Sequence, residues 1–338
     1  MSRALVTGVK GQDGIFLAEF LLSKGYTVYG LDRSLDDSRV KHLLNNDCFK
    51  MIPGDLTNQA SLENALRESE AEEVYNLGAM SFVEESFRQP EITFLHTGQG
   101  VLNMLQAIWK VNRSVRFFQA SSSEMFGNNL SNPQKETSLF CPCSPYGKAK
   151  LFGHRMTVLY RKQGLYACSG ILFNHESHRR APHFVTRKIS LGVARIYMGL
   201  QNKLELGNLD AKRDWGYAPE YVETMWKMLH QKNPTDYVIA TGESYRVRDI
   251  LDIAFGHIGI YNWQPYVNGY CEHLLRPNDI DELKGNPSKA REQLEWNPKI
   301  NFEQLIRDMV QDDLFEIFLQ KETLSYEKEA KSPLGTSA

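Results

Sequence analysis

The segment from Ala4 to Arg33 constrains the fold most. Ala4-Leu-Val-Thr7 reads as a short buried strand, and Gly8-Val-Lys-Gly11-Gln-Asp-Gly14 follows at once. Phe16, Leu17, Phe20 and Leu21 then recur at helical spacing, and Gly25 suits the residue just past a helix end. A second strand, Thr27-Val-Tyr-Gly-Leu31, ends in Asp32 and Arg33. Strand, glycine turn, helix and strand within about 30 residues form a dinucleotide-binding unit. The glycines let the backbone approach a pyrophosphate at the helix N-terminus. A simple turn would account for a lone glycine triplet; its position between strand and helix argues for the cofactor.

The alternation continues. Phe49–Ile52 reads as a third strand, with Asp55 and Leu56 beyond it placed to meet an adenine. Val74–Leu77 reads as a fourth, opening onto Gly78, Ala79, Met80 and Ser81 beside the cofactor. A helix over 91–110, a fifth strand over Val115–Gln119, a long helix starting at Tyr146 and a sixth strand over Ala167–Phe173 follow. The fold class expected is α/β, a Rossmann-type doubly wound parallel sheet with a smaller C-terminal substrate-binding domain. The 338 residues suit one large or two ordinary domains. The expected division is 1–173 for the cofactor domain and 174–320 mainly for the substrate, with some return to the first domain. A polar tail is expected over 321–338.

The chemistry is concentrated in Ala120-Ser-Ser-Ser-Glu-Met-Phe-Gly127 and Tyr146-Gly-Lys-Ala-Lys150. Tyr146 and Lys150 lie one helical turn apart on one face. The ammonium there lowers the phenol's pKa, so a phenolate takes a proton from an alcohol while hydride leaves the same carbon. Ser122 supplies a hydroxyl donor. Glu124 is the unusual addition, because a plain dehydrogenase has no use for a second base. Oxidising a sugar at C4 acidifies the hydrogen at C5; a carboxylate can remove it, and the C6 hydroxyl departs as water. A Tyr-x-x-x-Lys pair alone recurs by chance, and Glu124 alone also reads as a capping or turn residue. Both segments fall at the carboxyl edge of the sheet, where open parallel sheets bind ligands.

Asp32 and Arg33 give opposite indications for the cofactor. Asp32 is placed to bind a ribose 2′-hydroxyl, whereas Arg33 is placed to pair with a 2′-phosphate. Either also reads as an ordinary solvated charge. The net charge of −2 carries no nucleic-acid or membrane signature. No apolar stretch approaches the ~18 residues of a membrane span, and Met1-Ser-Arg leads straight into a core strand, so a cytoplasmic protein is expected. Five irregularly spaced cysteines form no disulfide framework, and Cys141-Pro-Cys143 is an incomplete zinc site, so no metal is expected.

Taken together, these motifs resemble the extended short-chain dehydrogenase/reductase family, and within it the GDP-mannose 4,6-dehydratases. The marks are Gly11-Gln-Asp-Gly14, Gly78-Ala-Met-Ser81, Gln119-Ala-Ser-Ser-Ser-Glu124, Ser144-Pro-Tyr146 and Gly170-Ile-Leu-Phe-Asn-His-Glu-Ser177. Phe184-Val-Thr-Arg-Lys188, Gly207–Gly216, Arg276-Pro277 and Gly285–Ala290 complete them, over a span from Ala4 to about Met309. The resemblance implies dehydration of GDP-mannose to GDP-4-keto-6-deoxymannose, by internal transfer of hydride from C4 to C6. It gives Ser122 the C4 oxygen, Glu124 the dehydratase base, Tyr146 the hydride-transfer base, and Lys150 a hold on the nicotinamide ribose as well. Gly8, Val9, Lys10, Gly11, Gln12, Asp13, Asp55, Leu56, Leu77, Gly78, Ala79, Met80, Ser81, His175 and Arg180 match cofactor contacts. Arg33 matches a 2′-phosphate arginine, which tips the expectation to NADP, with NAD as the alternative. Asn174, Lys188, Arg213 and Arg276 are expected on the sugar nucleotide. The segment from Ser177 to Arg187 reaches a neighbouring subunit in relatives, implying a homo-oligomer, dimer or tetramer.

The chain also departs from that pattern. Ser34, Asp36 and Asp37 stand where a second arginine is common after the second strand. Cys143 replaces an arginine in the loop before Ser144, leaving room for a modified or larger sugar, such as a heptose. His178 and Ala181 replace a proline and a glycine, and Ile92 replaces a tyrosine. An epimerase or reductase of the same fold would need Ser122, Tyr146 and Lys150 but not Glu124. A non-catalytic nucleotide sensor would have lost Tyr146 or Lys150, and both are present.

Overall fold

The apolar runs of the first half assemble into one parallel sheet. The computed structural model describes residues 2–35, 38–129 and 131–331; Asp36 and Asp37 lie outside them. Its strands are β1 (Arg3–Thr7), β2 (Thr27–Asp32), β3 (Phe49–Pro53), β4 (Glu73–Asn76), β5 (Arg116–Ser122), β6 (Ala167–Leu172) and β7 (Tyr237–Ile239). Their order is β7-β6-β5-β4-β1-β2-β3, with the direction of winding reversing between β1 and β4. Every neighbouring pair is parallel, with Ala4 of β1 opposite Val28 on one side and Glu73 on the other. Parallel strands covered on both faces must be apolar on both. In β1, Ala4 and Val6 pack with Leu17 and Leu21 of helix α1 (Gln12–Ser23), whereas Leu5 packs with the opposite cluster. That second cluster contains Leu62 and Leu66 of α2 (Gln59–Ser69) and Met104, Leu105 and Ile108 of α3 (Gly100–Val111).

Two compact units result. The first comprises Met1–Glu176, Ala211–Tyr245 and Arg276–Ile300, so the chain enters it three times. Its edge strand β7 is only three residues long, too short to show a period in sequence. The second comprises Ser177–Asp210, Arg246–Leu275 and Asn301–Ala338. There the helices Val185–Tyr197, Val247–His257 and Phe302–Lys331 pack together beside a two-stranded ribbon, Leu204–Glu205 with Val267–Asn268. Arg187 is buried and pairs with Asp313, which also accepts a hydrogen bond from Ser190 Oγ at 2.6 Å.

Three expectations need correction. The polar tail foreseen from Lys321 is helical through Lys331. Its lysines, glutamates and alanine are good helix formers, and no glycine or proline intervenes before Pro333. The fifth strand runs on to Ser122, three residues past its expected end. The helix foreseen over 91–110 is not continuous. It consists of Pro90–Phe94, a π-helical turn Leu95–Gln99, and α3. Glycines permit the widening: a Cβ at Gly98 would stand 3.2 Å from Ala149 O, and one at Gly100 2.9 Å from Leu56 Cβ.

Candidate active site

The glycine turn is built for close approach. Gly8 has φ +66°, and a Cβ there would lie 2.8 Å from Gly78 Cα. A Cβ at Gly14 would lie 2.4 Å from Gly8 O. Gly11 caps α1 with no side-chain hydrogen bond to the first amides. A side-chain-free turn feeding an uncapped helix N-terminus fits a dinucleotide pyrophosphate. Around it, Leu56 packs on Gly78, and its carbonyl accepts from Asn103 Nδ2 at 2.8 Å. Met80 N donates to Thr97 Oγ1 of the π-turn at 3.0 Å. Burial pushes the Asp55 carboxyl up, but hydrogen bonds from the Thr57 amide and hydroxyl, with the charges of His96 and Arg33, hold it below the usual range.

At the end of β2, Arg33 is exposed and Asp32 half-buried. Asp32 Oδ1 accepts from Ser34 N at 3.2 Å, and Lys10 Nζ lies 3.6 Å from the same oxygen. Asp13, in the first turn of α1, accepts from Gln12 Nε2 at 3.0 Å and meets His175 Nε2 at 2.8 Å. The other ring nitrogen of His175 faces Phe173 O at 2.7 Å. Both ring nitrogens thus face oxygen atoms. Gln12 Nε2 donates to His175 O at 3.0 Å, and the ring stacks on Tyr221 at 4.5 Å.

The four candidate catalytic residues lie on the end of β5, on the turn after it and on the helix packed against both. Ser122 is its last residue, and Glu124 sits in the single 3-10 turn that follows, its amide donating to Ser122 Oγ at 3.2 Å. Helix α4 (Pro145–Lys162) starts at Ser144, whose Oγ accepts from Gly147 N at 3.0 Å, with Pro145 at the first helical position. Gly147 lets α4 press onto this turn, since a Cβ there would lie 2.7 Å from Glu124 O. Tyr146 and Lys150 are both buried on α4, with Lys150 Nζ 5.7 Å from the Tyr146 ring centre. Burial lowers the Lys150 ammonium to about 8, with Asp13 opposing the shift.

A buried polar chain that sequence reasoning missed holds this corner. Thr7 Oγ1 donates to Asn76 Oδ1 at 2.7 Å, Asn76 Nδ2 to Gln119 Oε1 at 2.8 Å, and Gln119 Nε2 to Ala120 O at 2.9 Å. Lys150 Nζ donates to the same Ala120 carbonyl at 2.8 Å. Thr7 Oγ1 also accepts from Leu77 N and Gly78 N at 3.1 and 3.0 Å. One hydrogen-bonded line therefore joins the ends of β1, β4 and β5 to the lysine. Residues 7, 76 and 119 each end or near the end of a parallel strand, which is the only sequence signal that pointed to them.

Glu124 also faces cations. Its Oε1 lies 3.8 Å from Arg276 Nη1. Burial lowers the Arg213 guanidinium, while the charges of Glu124 and Asp279 pull the other way. Arg213 donates to Ile280 O at 2.7 Å, Lys212 O at 2.8 Å and Asp279 Oδ1 at 3.1 Å, so much of its donor capacity orders the segment after Arg276. Asn174 opens a short strand, Asn174–Glu176, paired in parallel with Trp215–Tyr217. Arg180 and Lys188 belong to the second unit, where the Arg180 guanidinium covers the Phe184 ring at 3.6 Å. Cys143 Sγ faces Cys141 O at 3.6 Å. Among the described residues no cluster of His, Cys, Asp and Glu could hold a metal ion.

A doubly wound sheet with an open glycine turn, and a serine from β5 set against a Tyr-x-x-x-Lys helix, define an NAD(P)-binding extended short-chain dehydrogenase/reductase. Solved structures share this architecture. A dTDP-glucose 4,6-dehydratase from Streptomyces venezuelae superposes with a TM-score of 0.82 at 20% identity, covering 91% of this chain and 96% of that one. A UDP-glucose 4-epimerase from Thermus thermophilus gives 0.79 at 25%, covering 92% and 98%. Within that class the chain belongs to the GDP-mannose 4,6-dehydratase family, whose pattern matches residues 5–309. It is 48% identical over 325 residues to GDP-mannose 4,6 dehydratase 1 of Arabidopsis thaliana, covering 92% of this chain and 89% of the relative. The Homo sapiens GDP-mannose 4,6 dehydratase is 44% identical over 338 residues, with coverage of 92% and 91%.

Proposed function

We propose that this protein dehydrates GDP-mannose to GDP-4-keto-6-deoxymannose, with NADP as its bound cofactor. The observation that carries the reading is Glu124, a carboxylate one turn beyond Ser122 on the structure that also positions Tyr146 and Lys150. Gly8 to Asp13, Asp55, Leu56 and the run from Leu77 to Ser81 would hold the cofactor, with His175 positioning the Asp13 carboxyl at 2.8 Å. A bound nicotinamide dinucleotide supplies the two-electron acceptor and donor that oxidation at C4 and reduction at C6 require. Tyr146 takes the proton of the C4 hydroxyl, assisted by the Lys150 ammonium, and Ser122 orients the C4 oxygen. Glu124 takes the acidified C5 proton and passes it to the C6 hydroxyl, which leaves as water; the proton held by Tyr146 returns to C5 as C6 is reduced. Arg276, Arg213, Lys188 and Asn174 are assigned to the sugar nucleotide, with guanidinium donors suited to its two phosphates.

The exposed Arg33 at the end of β2 supports NADP over NAD. Exposed Ile92, Phe94 and Leu95 beside α4 support a homo-oligomer. Among the described residues no helix is long and apolar enough to cross a membrane, and a cytoplasmic location belongs to this reading. The test is mass spectrometry after incubation with a panel of nucleotide sugars and catalytic NADP. Loss of one water from GDP-mannose, with deuterium placed at C4 recovered at C6, is expected. Deuterium lost to the medium, or stoichiometric accumulation of NADPH, would replace the dehydratase by a plain dehydrogenase.

A further inference from the structure

Asp32 should repel a 2′-phosphate, and the single exposed Arg33 beside it only balances that charge. The structure adds a third charge from the glycine turn. Lys10 lies two residues past Gly8, and its side chain is only 15% exposed although it carries an ammonium. That ammonium reaches across to the end of β2, donating to Ser34 O at 2.5 Å and lying 3.6 Å from Asp32 Oδ1. The same Asp32 oxygen is turned inward by the Ser34 amide at 3.2 Å. Asp32 is therefore both paired and hydrogen-bonded.

We propose that Lys10 is the specificity-determining residue for the cofactor's adenosine 2′-phosphate, neutralising Asp32 and donating to the phosphate itself. The inference rests on the NADP reading above. The four-carbon stem of lysine lets the ammonium move between Ser34 O, Asp32 and a phosphate oxygen without backbone change. A phosphate dianion is a stronger acceptor than a carbonyl, so the exchange favours the phosphate. Asp32 then has a different role from that in an NAD enzyme, serving as the anchor that keeps Lys10 beside the ribose. Ser34 joins the two charges: its carbonyl accepts from Lys10 and its amide donates to Asp32.

Calorimetry of the full chain with 2′,5′-ADP and 5′-AMP separates the 2′-phosphate from the rest of the cofactor. The unmutated protein should prefer 2′,5′-ADP; equal affinities would overturn the NADP reading itself. Lys10→Met should weaken 2′,5′-ADP about 10- to 100-fold, as for one charge-assisted hydrogen bond, and change 5′-AMP less than threefold. Lys10→Arg should keep most of the preference. If Lys10→Met weakens both nucleotides equally, or leaves the preference intact, the assignment to Lys10 fails while the NADP reading stands. In an Asp32→Asn background the Lys10→Met loss should persist. Its disappearance there would show that Lys10 acts on Asp32 alone and would overturn the direct contact.

Discussion

The catalytic corner and the rim at the end of β2 serve one cofactor but are held in opposite ways. Thr7, Asn76, Gln119 and Lys150 are all buried, and the line joining them consists of hydrogen bonds of 2.7 to 2.9 Å. At the rim, Lys10, Asp32 and Arg33 act through charge, and Arg33 and Ser34 are exposed. Buried dipoles fix positions to a fraction of an ångström because leaving them unpaired is costly. Surface charges adjust and are screened by salt. On the proposed function, the reaction is therefore set among buried hydrogen-bonded groups, and the choice of cofactor at a charged rim.

Four substitutions or conditions bear on that contrast. Glu124→Gln should have the largest effect, a loss of dehydration on the order of 10²–10⁴ in rate with cofactor binding retained. Full water loss by the variant, followed by mass spectrometry, would remove Glu124 from the chemistry. Asn76→Leu breaks the buried line at its centre and strands partners on both sides, which should cost about 1–3 kcal/mol of stability. Chemical denaturation checks this, and a variant as stable as the parent would mean the line is not a structural element. The pH dependence comes next. Lys150 gives up its proton near 8 in the folded protein but only near 10.5 when unfolded, so the folded state binds fewer protons in that window. Its contribution to stability should therefore rise with pH from about 8 to about 10.5. The rate should fall over the same range, up to tenfold per pH unit, as the ammonium beside Tyr146 is lost. A pH profile flat to 10 would contradict that role. At the rim, Arg33→Ala should be mildest, weakening NADP about fivefold at low salt and less at high salt while sparing NAD. A loss that ignores salt would place Arg33 among the rigid contacts.

Much of this architecture was legible because its signals are local. The turn from Gly8 to Gly14 lies between a strand and an amphipathic helix, and Tyr146 and Lys150 share a face by helical geometry alone. Ser122 and Glu124 followed from their place after a recognisable strand. What escaped depends on pairings between distant positions. Thr7, Asn76 and Gln119 are common polar residues until the sheet order sets β1 beside β4 and β4 beside β5. Lys10 was expected as a cofactor contact of the glycine turn, but nothing local shows that its side chain reaches Ser34. The interruption at Leu95–Gln99 was hidden because a π-turn keeps apolar residues where a helix would also have them, and only the glycines hint at it.

That π-turn makes the stretch before α3 intolerant of a change in length. A π-turn is in effect a helix with one residue too many, and each residue advances the phase by 100°. Deleting one residue between 95 and 99 would leave a longer, more regular helix. It would also remove the extra residue that the wide turn presents, taking Thr97 from Met80 or His96 from the neighbourhood of Asp55. Point substitutions other than at Gly98 and Gly100 act on one contact at a time, whereas a one-residue deletion in the turn would displace both of these at once. Length, more than composition, is what lineages carrying this fold would have to preserve here.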